Sequence, residues 1–241
     1  RASVPTPQMG LFQRPVKREP MPPKRSSTVW TEAFLLPGMV ELEERHTVIE
    51  EGLARLRAER DVAARDLAGA RRLRDVLLAG HGTPLVEAVG RVLGELLGSL
   101  NLQVARGDRT DGLVIRQGGR VAAAVTVRGP LGQARGADLR RLHGLLEAAA
   151  PPGGKAPKGI LVANAERRKD PRERAVAPFA PEAAQAAQRQ GVCLLSAVQL
   201  FNILCEFRRG KLKDPRALWD DLRATGGVYH KYNDWQQNIR A

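Results

Sequence analysis

Residues 110–129 read TDGLVIRQGGRVAAAVTVRG. Two apolar runs, Asp111–Gln117 and Arg120–Arg128, are joined by Gly118-Gly119, the tightest turn signal of this region. A two-residue hairpin turn needs positive φ at both central positions, and glycine adopts it without steric cost, so the stretch predicts a β-hairpin. Leu102–Arg106 predicts a strand just before it, and Leu85–Leu100 an amphipathic helix before that. Beyond the hairpin the period changes. Ala137–Ala150 is spaced as a helix, Pro151–Pro157 as a loop, and Gly159–Ala163 (GILVA) as a strand buried on both faces. Pro181–Gln190 predicts a helix, Val192–Ser196 a second buried strand, and Ala197–Arg208 and Pro215–Ala224 two more helices. Strands alternating with helices at this spacing predict an α/β domain, a mixed sheet flanked by helices, over residues 80–225.

Upstream, Met39–Ala79 has a different rule. Positions 42, 46, 49, 53, 56, 60, 63, 67, 70, 74 and 77 carry Leu, His, Ile, Leu, Leu, Arg, Ala, Leu, Ala, Arg and Leu, with Glu and Arg between them. This alternation of three- and four-residue steps predicts a long coiled-coil helix, residues 39–79, able to form a homodimer through 42–77 or to lie on its own domain. Gly80 and Gly82 end it, and Thr83-Pro84 opens the next helix. Residues 1–38, with seven prolines and no apolar period, predict a disordered basic tail interrupted by two apolar islands, Met9–Phe12 and Trp30 with Phe34. Residues 226–241 read as a polar C-terminal tail whose aromatics, Tyr229, Tyr232 and Trp235, await a partner.

Composition narrows the partners. Against 26 Asp and Glu stand 39 Lys and Arg, a formal charge of +13. That favours a polyanion such as DNA, although it also serves solubility. Cys193 and Cys205 lie in apolar runs without metal-ligand spacing and read as core thiols of a reducing, cytoplasmic compartment. No apolar run nears the ~18 residues that span a bilayer, so no membrane role is expected.

The order helix, strand, hairpin opened by an Asp, helix, strand, helix, strand, helix over residues 84–204 resembles the PD-(D/E)XK superfamily, the restriction-endonuclease-like fold. In that family a helix acid, an Asp opening the second strand and an acid-x-Lys ending the third converge on Mg²⁺. The resemblance places Glu87 and Asp111 in the first two roles. The third strand departs from the pattern: Val125-Thr126-Val127-Arg128-Gly129 puts Thr126 where the acid belongs and Arg128 where the lysine belongs. Asn164, Pro171, Arg174, Pro178-Phe179 and the CLLSAVQLF segment resemble divergent members and speak for the fold. A hydroxyl is a neutral ligand for a hard cation, and a guanidinium does not exchange its proton. The resemblance thus implies a remnant site at Glu87, Asp111, Thr126 and Arg128, without cofactor or metal. Mg²⁺ enters only in an alternative, an active endonuclease in which Asp108 supplies a relocated acid.

Candidate DNA contacts are Arg128, Arg167, Arg168, Lys169 and the cluster Arg208, Arg209, Lys211 and Lys213. In the tail, Gln8-Met9-Gly10-Leu11-Phe12 resembles the Gln-x-x-Leu-Phe peptide that docks on the bacterial β sliding clamp, with Gln8, Leu11 and Phe12 in the contacting positions and Trp30 and Phe34 as a second docking element. The four histidines, His46, His81, His143 and His230, have no partners at catalytic spacing. The leading expectation is a non-catalytic nuclease-fold protein of replication, repair or defence that binds DNA. The nuclease and a purely structural adaptor remain the alternatives.

Overall fold

A computed structural model describes residues 36–107, 111–151, 156–174 and 177–233. Gln8, Leu11, Phe12, Trp30 and Phe34, with the clamp-like motif, lie outside the described residues, as do Asp108 and Trp235. The chain divides into a unit ending at Arg60 and one beginning at Asp61. The first contains the opening turns of helix α1 (Met39–Ala79). The second contains the rest of α1, then α2 (Gly82–Leu97), β1 (Leu102–Arg106), β2 (Gly112–Gln117), β3 (Arg120–Arg128), α3 (Gly136–Ala149), β4 (Lys158–Ala163), α4 (Pro181–Arg189), β5 (Cys193–Ser196), α5 (Ala197–Arg208), α6 (Pro215–Ala224) and β6 (Gly227–Val228).

The sheet is mixed and runs in sequence order, β1-β2-β3-β4-β5-β6. Strands β1, β2 and β3 are antiparallel, and β3 through β6 are parallel. Gly118 and Gly119 have φ of 55° and 79°, the doubly left-handed turn that joins β2 to β3. Alternation along the strands sorts two cores. Leu113, Ile115, Val125, Val127, Ile160, Val162 and Leu195 point to one face, with α2, α5 and α6. Leu161, Ala163 and Leu194 point to the other, under α3 and α4. Burial on both faces is why β4 and β5 read as continuous apolar runs. Leu73 and Leu77, near the end of α1, are buried in the first of these cores. Leu77, counted in the expected seam, thus packs in the core of its own domain.

The C-terminal segment departs from the sequence reading. Residues 226–233 are not a free tail: Gly227–Val228 pairs with β5, and Tyr229 is 2 % exposed. Two buried amides of α5 hold this segment. Gln199 Nε2 donates to the Tyr229 and Lys231 carbonyls at 2.7 and 3.1 Å, and Asn202 Nδ2 to that of Tyr232 at 2.9 Å. Gln199 also closes a capping box with Ser196 at the start of α5. Tyr229 and Tyr232, expected to await a partner, are stacked on each other with ring centres 6.4 Å apart. Among the described residues no helix is long and apolar enough to cross a membrane.

Candidate functional site

The parallel pairing of β3 with β4 brings their C-terminal ends together, and the chemistry-bearing side chains gather there. Asp111 immediately precedes β2, and its carbonyl accepts from Val127 N at 2.9 Å, which fixes it opposite the end of β3. Val125 and Val127 face the α2 side, so alternation turns Thr126 and Arg128 toward α3. Thr126 is 1 % exposed. Arg128 bridges two carboxylates: Nη1 reaches Asp111 at 3.3 Å and Nε reaches Asp138, on the first turn of α3, at 3.0 Å. Arg141, one turn along α3, adds a second cation at 3.6 Å from Asp111. The second oxygen of Asp138 accepts from the Arg135 backbone at 3.0 Å, a helix-entry bond that fixes this carboxylate beneath Arg128.

Loops on either side pin this cluster. Asn164 N donates to the Arg128 carbonyl at 2.8 Å, and Arg167 Nε to that of Gly129 at 2.9 Å. Asn164 Nδ2 reaches the Gly80 carbonyl at 3.0 Å, while Arg174 donates to Asn164 Oδ1 at 2.9 Å and to the Leu78 carbonyl. Asn164 and Arg174 thus satisfy carbonyls at the end of α1, where a cation also complements the helix dipole. Burial lowers the Arg174 pKa, with Asp170 and Glu166 opposing. Gly129 has no room for a side chain: a Cβ there would lie 2.8 Å from the His81 Cβ.

Asp111, Thr126 and Arg128 are thus neighbours at one end of the sheet. Glu87, on α2, is paired with Arg106 at the end of β1 at 2.7 Å. The DNA candidates divide. Arg208 grips Glu95 through two bonds of 2.8 and 2.7 Å. That bond holds the Glu95 carboxyl below its ordinary value against the opposing effect of burial. Arg209 and Lys211 approach Glu206 at 3.6 and 3.8 Å, and Lys169 meets Glu166 at 2.5 Å. Arg168 and Lys213 are exposed and have no ion pair among the described residues. So is Arg140 on α3, which the sequence reading passed over, as it passed over Asp138 and Arg141. On a helix read in isolation all three belong to the polar face, and only the crossover from β3 shows which of them reaches the strand end.

These residues do not fit a hard divalent cation. Such an ion needs several oxygen ligands, carboxylates foremost. Here Asp111 is matched to two guanidiniums, Thr126 is neutral and enclosed, and Glu87 is matched to Arg106. What the arrangement can do is hold two strand ends and a helix start in fixed register while presenting cations at its rim. No protein-family model and no curated protein matches this sequence.

Proposed function

We propose that residues 80–225 form a degenerate restriction-endonuclease-like domain that binds DNA without cutting it, in a protein of replication, repair or defence. One observation carries the reading: at the end of β3, where the resemblance calls for a metal-binding acid and a lysine, Arg128 is tied to Asp111 and Asp138. The sequential strand order and the Asp at the mouth of the hairpin support the fold assignment. The formal charge of +13 and the cations beside this cluster support DNA as the ligand. In the same reading α1 pairs with a second copy through its exposed leucines, and Gln8, Leu11 and Phe12 recruit the protein to a sliding clamp.

The decisive experiment incubates purified protein with supercoiled plasmid and branched DNA in Mg²⁺ or Mn²⁺. The expected result is binding without cleavage above background. Cleavage that disappears in Asp111→Ala would overturn the non-catalytic reading in favour of the endonuclease. For recruitment, a peptide spanning residues 6–14 binds purified clamp in calorimetry, and the Leu11→Ala, Phe12→Ala peptide does not. No heat from the parent peptide at tens of micromolar removes the clamp from the account.

A further inference from the structure

Along α1 large apolar side chains are exposed both on the seam and off it, at Val40, Val48 and Val62. Leu42, Ile49, Leu53, Leu56 and Leu67 are 66, 53, 40, 62 and 51 % exposed, whereas Leu77 is fully buried in the domain's core. A helix stripe of leucines in water is unfavourable unless something covers it. The seam between 42 and 67 also contains His46, Arg60 and Ala63, and these positions distinguish one way of covering it from the other.

We infer that a second copy of the chain covers this stripe antiparallel, with Leu53 of each helix packed on the partner's Leu56. This rests on α1 being a homodimer seam. In a parallel, in-register pair every seam residue meets its own copy, so Arg60 faces Arg60 and His46 faces His46 in the core layers. Two guanidiniums forced together in a drying seam repel each other and lose water. Reversing one helix about the Leu53–Leu56 centre removes the Arg60 clash and separates the two His46 rings. Leu42 then lies on the partner's Leu67, His46 on the partner's Ala63, and Ile49 on the partner's Arg60. The Arg60 stem covers Ile49 while its head reaches toward the partner's Glu50, next to Ile49 in the sequence. Across the flanks Arg45 meets Asp66 and Glu50 meets Arg57, opposite charges in both cases. Flanking charges also match in the parallel pair, Arg45 with Glu50 and Asp66 with Arg71, so the core layers decide the orientation. The antiparallel overlap uses every seam position from 42 to 67 and leaves Leu73 and Leu77 to their own core.

Light scattering and thiol cross-linking separate the two claims. The full chain is weighed first; then Leu42→Cys alone and Leu42→Cys with Leu67→Cys are equilibrated in glutathione buffer and run without reductant. The wild type controls for native thiols, of which Cys193 is buried and Cys205 half-buried. Antiparallel pairing separates the two copies of position 42 by about 37 Å along the helix but sets each against position 67 of the partner. The expected result is a dimer mass, with covalent dimer at least about tenfold more abundant in the double variant than in the single one, whose introduced thiols lie beyond disulfide reach of each other. Quantitative cross-linking of Leu42→Cys alone means a parallel pair: the orientation falls and the homodimer stands. A dimer in which neither variant cross-links overturns the register, and the inference with it. A monomer at every concentration sinks the homodimer and the inference together.

Discussion

At the scale of single residues, Arg128 shows how one guanidinium can tie a strand end to a helix start. The guanidinium offers a planar fork, so it can satisfy Asp111 with one edge and Asp138 with another; a lysine would be a point charge shared between them. Removing it leaves two half-buried carboxylates near each other with only Arg141 to compensate. Arg128→Ala is expected to lower unfolding stability by about 1–3 kcal/mol, with Arg128→Lys recovering part of the loss. Urea melts check this, and an unchanged midpoint would mean that the network holds nothing together. The Glu95–Arg208 pair gives a pH signature. Because Arg208 lowers the folded-state pKa of Glu95, the pair's contribution is present above the unfolded value near 4.3 and fades as pH falls through the lowered folded value. Both side chains are substantially exposed, so the contribution stays under about 1 kcal/mol. Arg208→Ala should therefore melt slightly below the parent at pH 7 and together with it at the acid end. A gap that widens as pH falls would contradict the assignment.

At the scale of elements, the α5 amides decide where the domain ends. Gln199 is 4 % exposed and spends its side chain on three backbone groups, at Ser196, Tyr229 and Lys231. Gln199→Ala leaves the buried Tyr229 carbonyl and Ser196 N–H unpaired and is expected to cost about 2–3 kcal/mol. It should also release the segment from 227 to 233, seen as faster amide exchange at Gly227 and Tyr229, whose N–H groups bond to Val192 and Leu194. Exchange as slow as in the parent would show that the strand pairing suffices alone. This segment was illegible in the sequence for a physical reason. A two-residue strand has no period to detect, and its anchors lie about thirty residues upstream in a helix whose buried amides resemble ordinary polar positions. The hairpin and α1 were legible because their signals are local: paired glycines for one, a sustained heptad for the other. The candidate site was half legible. Asp111 and Arg128 stand at strand ends that pairing must bring together, whereas Asp138 and Arg141 join them only through the crossover from β3 to α3, and no local pattern records that.

At the scale of the whole molecule, the charge of +13 is a poor guide to where DNA would sit until satisfied and available cations are told apart. A guanidinium already bonded to a carboxylate gains little from a phosphate, since contact with one means leaving the other. Arg208 is in that condition, held by both oxygens of Glu95. Arg140 and Arg168 are exposed and not ion-paired among the described residues, on elements that adjoin the Arg128 cluster, Arg140 on α3 and Arg168 in the loop after β4. Each phosphate contact should contribute about 0.9 to the slope of log affinity against log salt on duplex DNA. Anisotropy titrations of a labelled duplex at several salt concentrations are expected to give a steep, sequence-independent slope. Arg140→Ala and Arg168→Ala should each weaken binding at low salt and flatten that slope by about one contact, while Arg208→Ala leaves it nearly unchanged. The contrast tests placement as well as charge, because the three variants remove the same formal charge. If all three act alike, the domain attracts DNA only as a diffuse cation, and the edge formed by β3, α3 and the loop after β4 is not its interface.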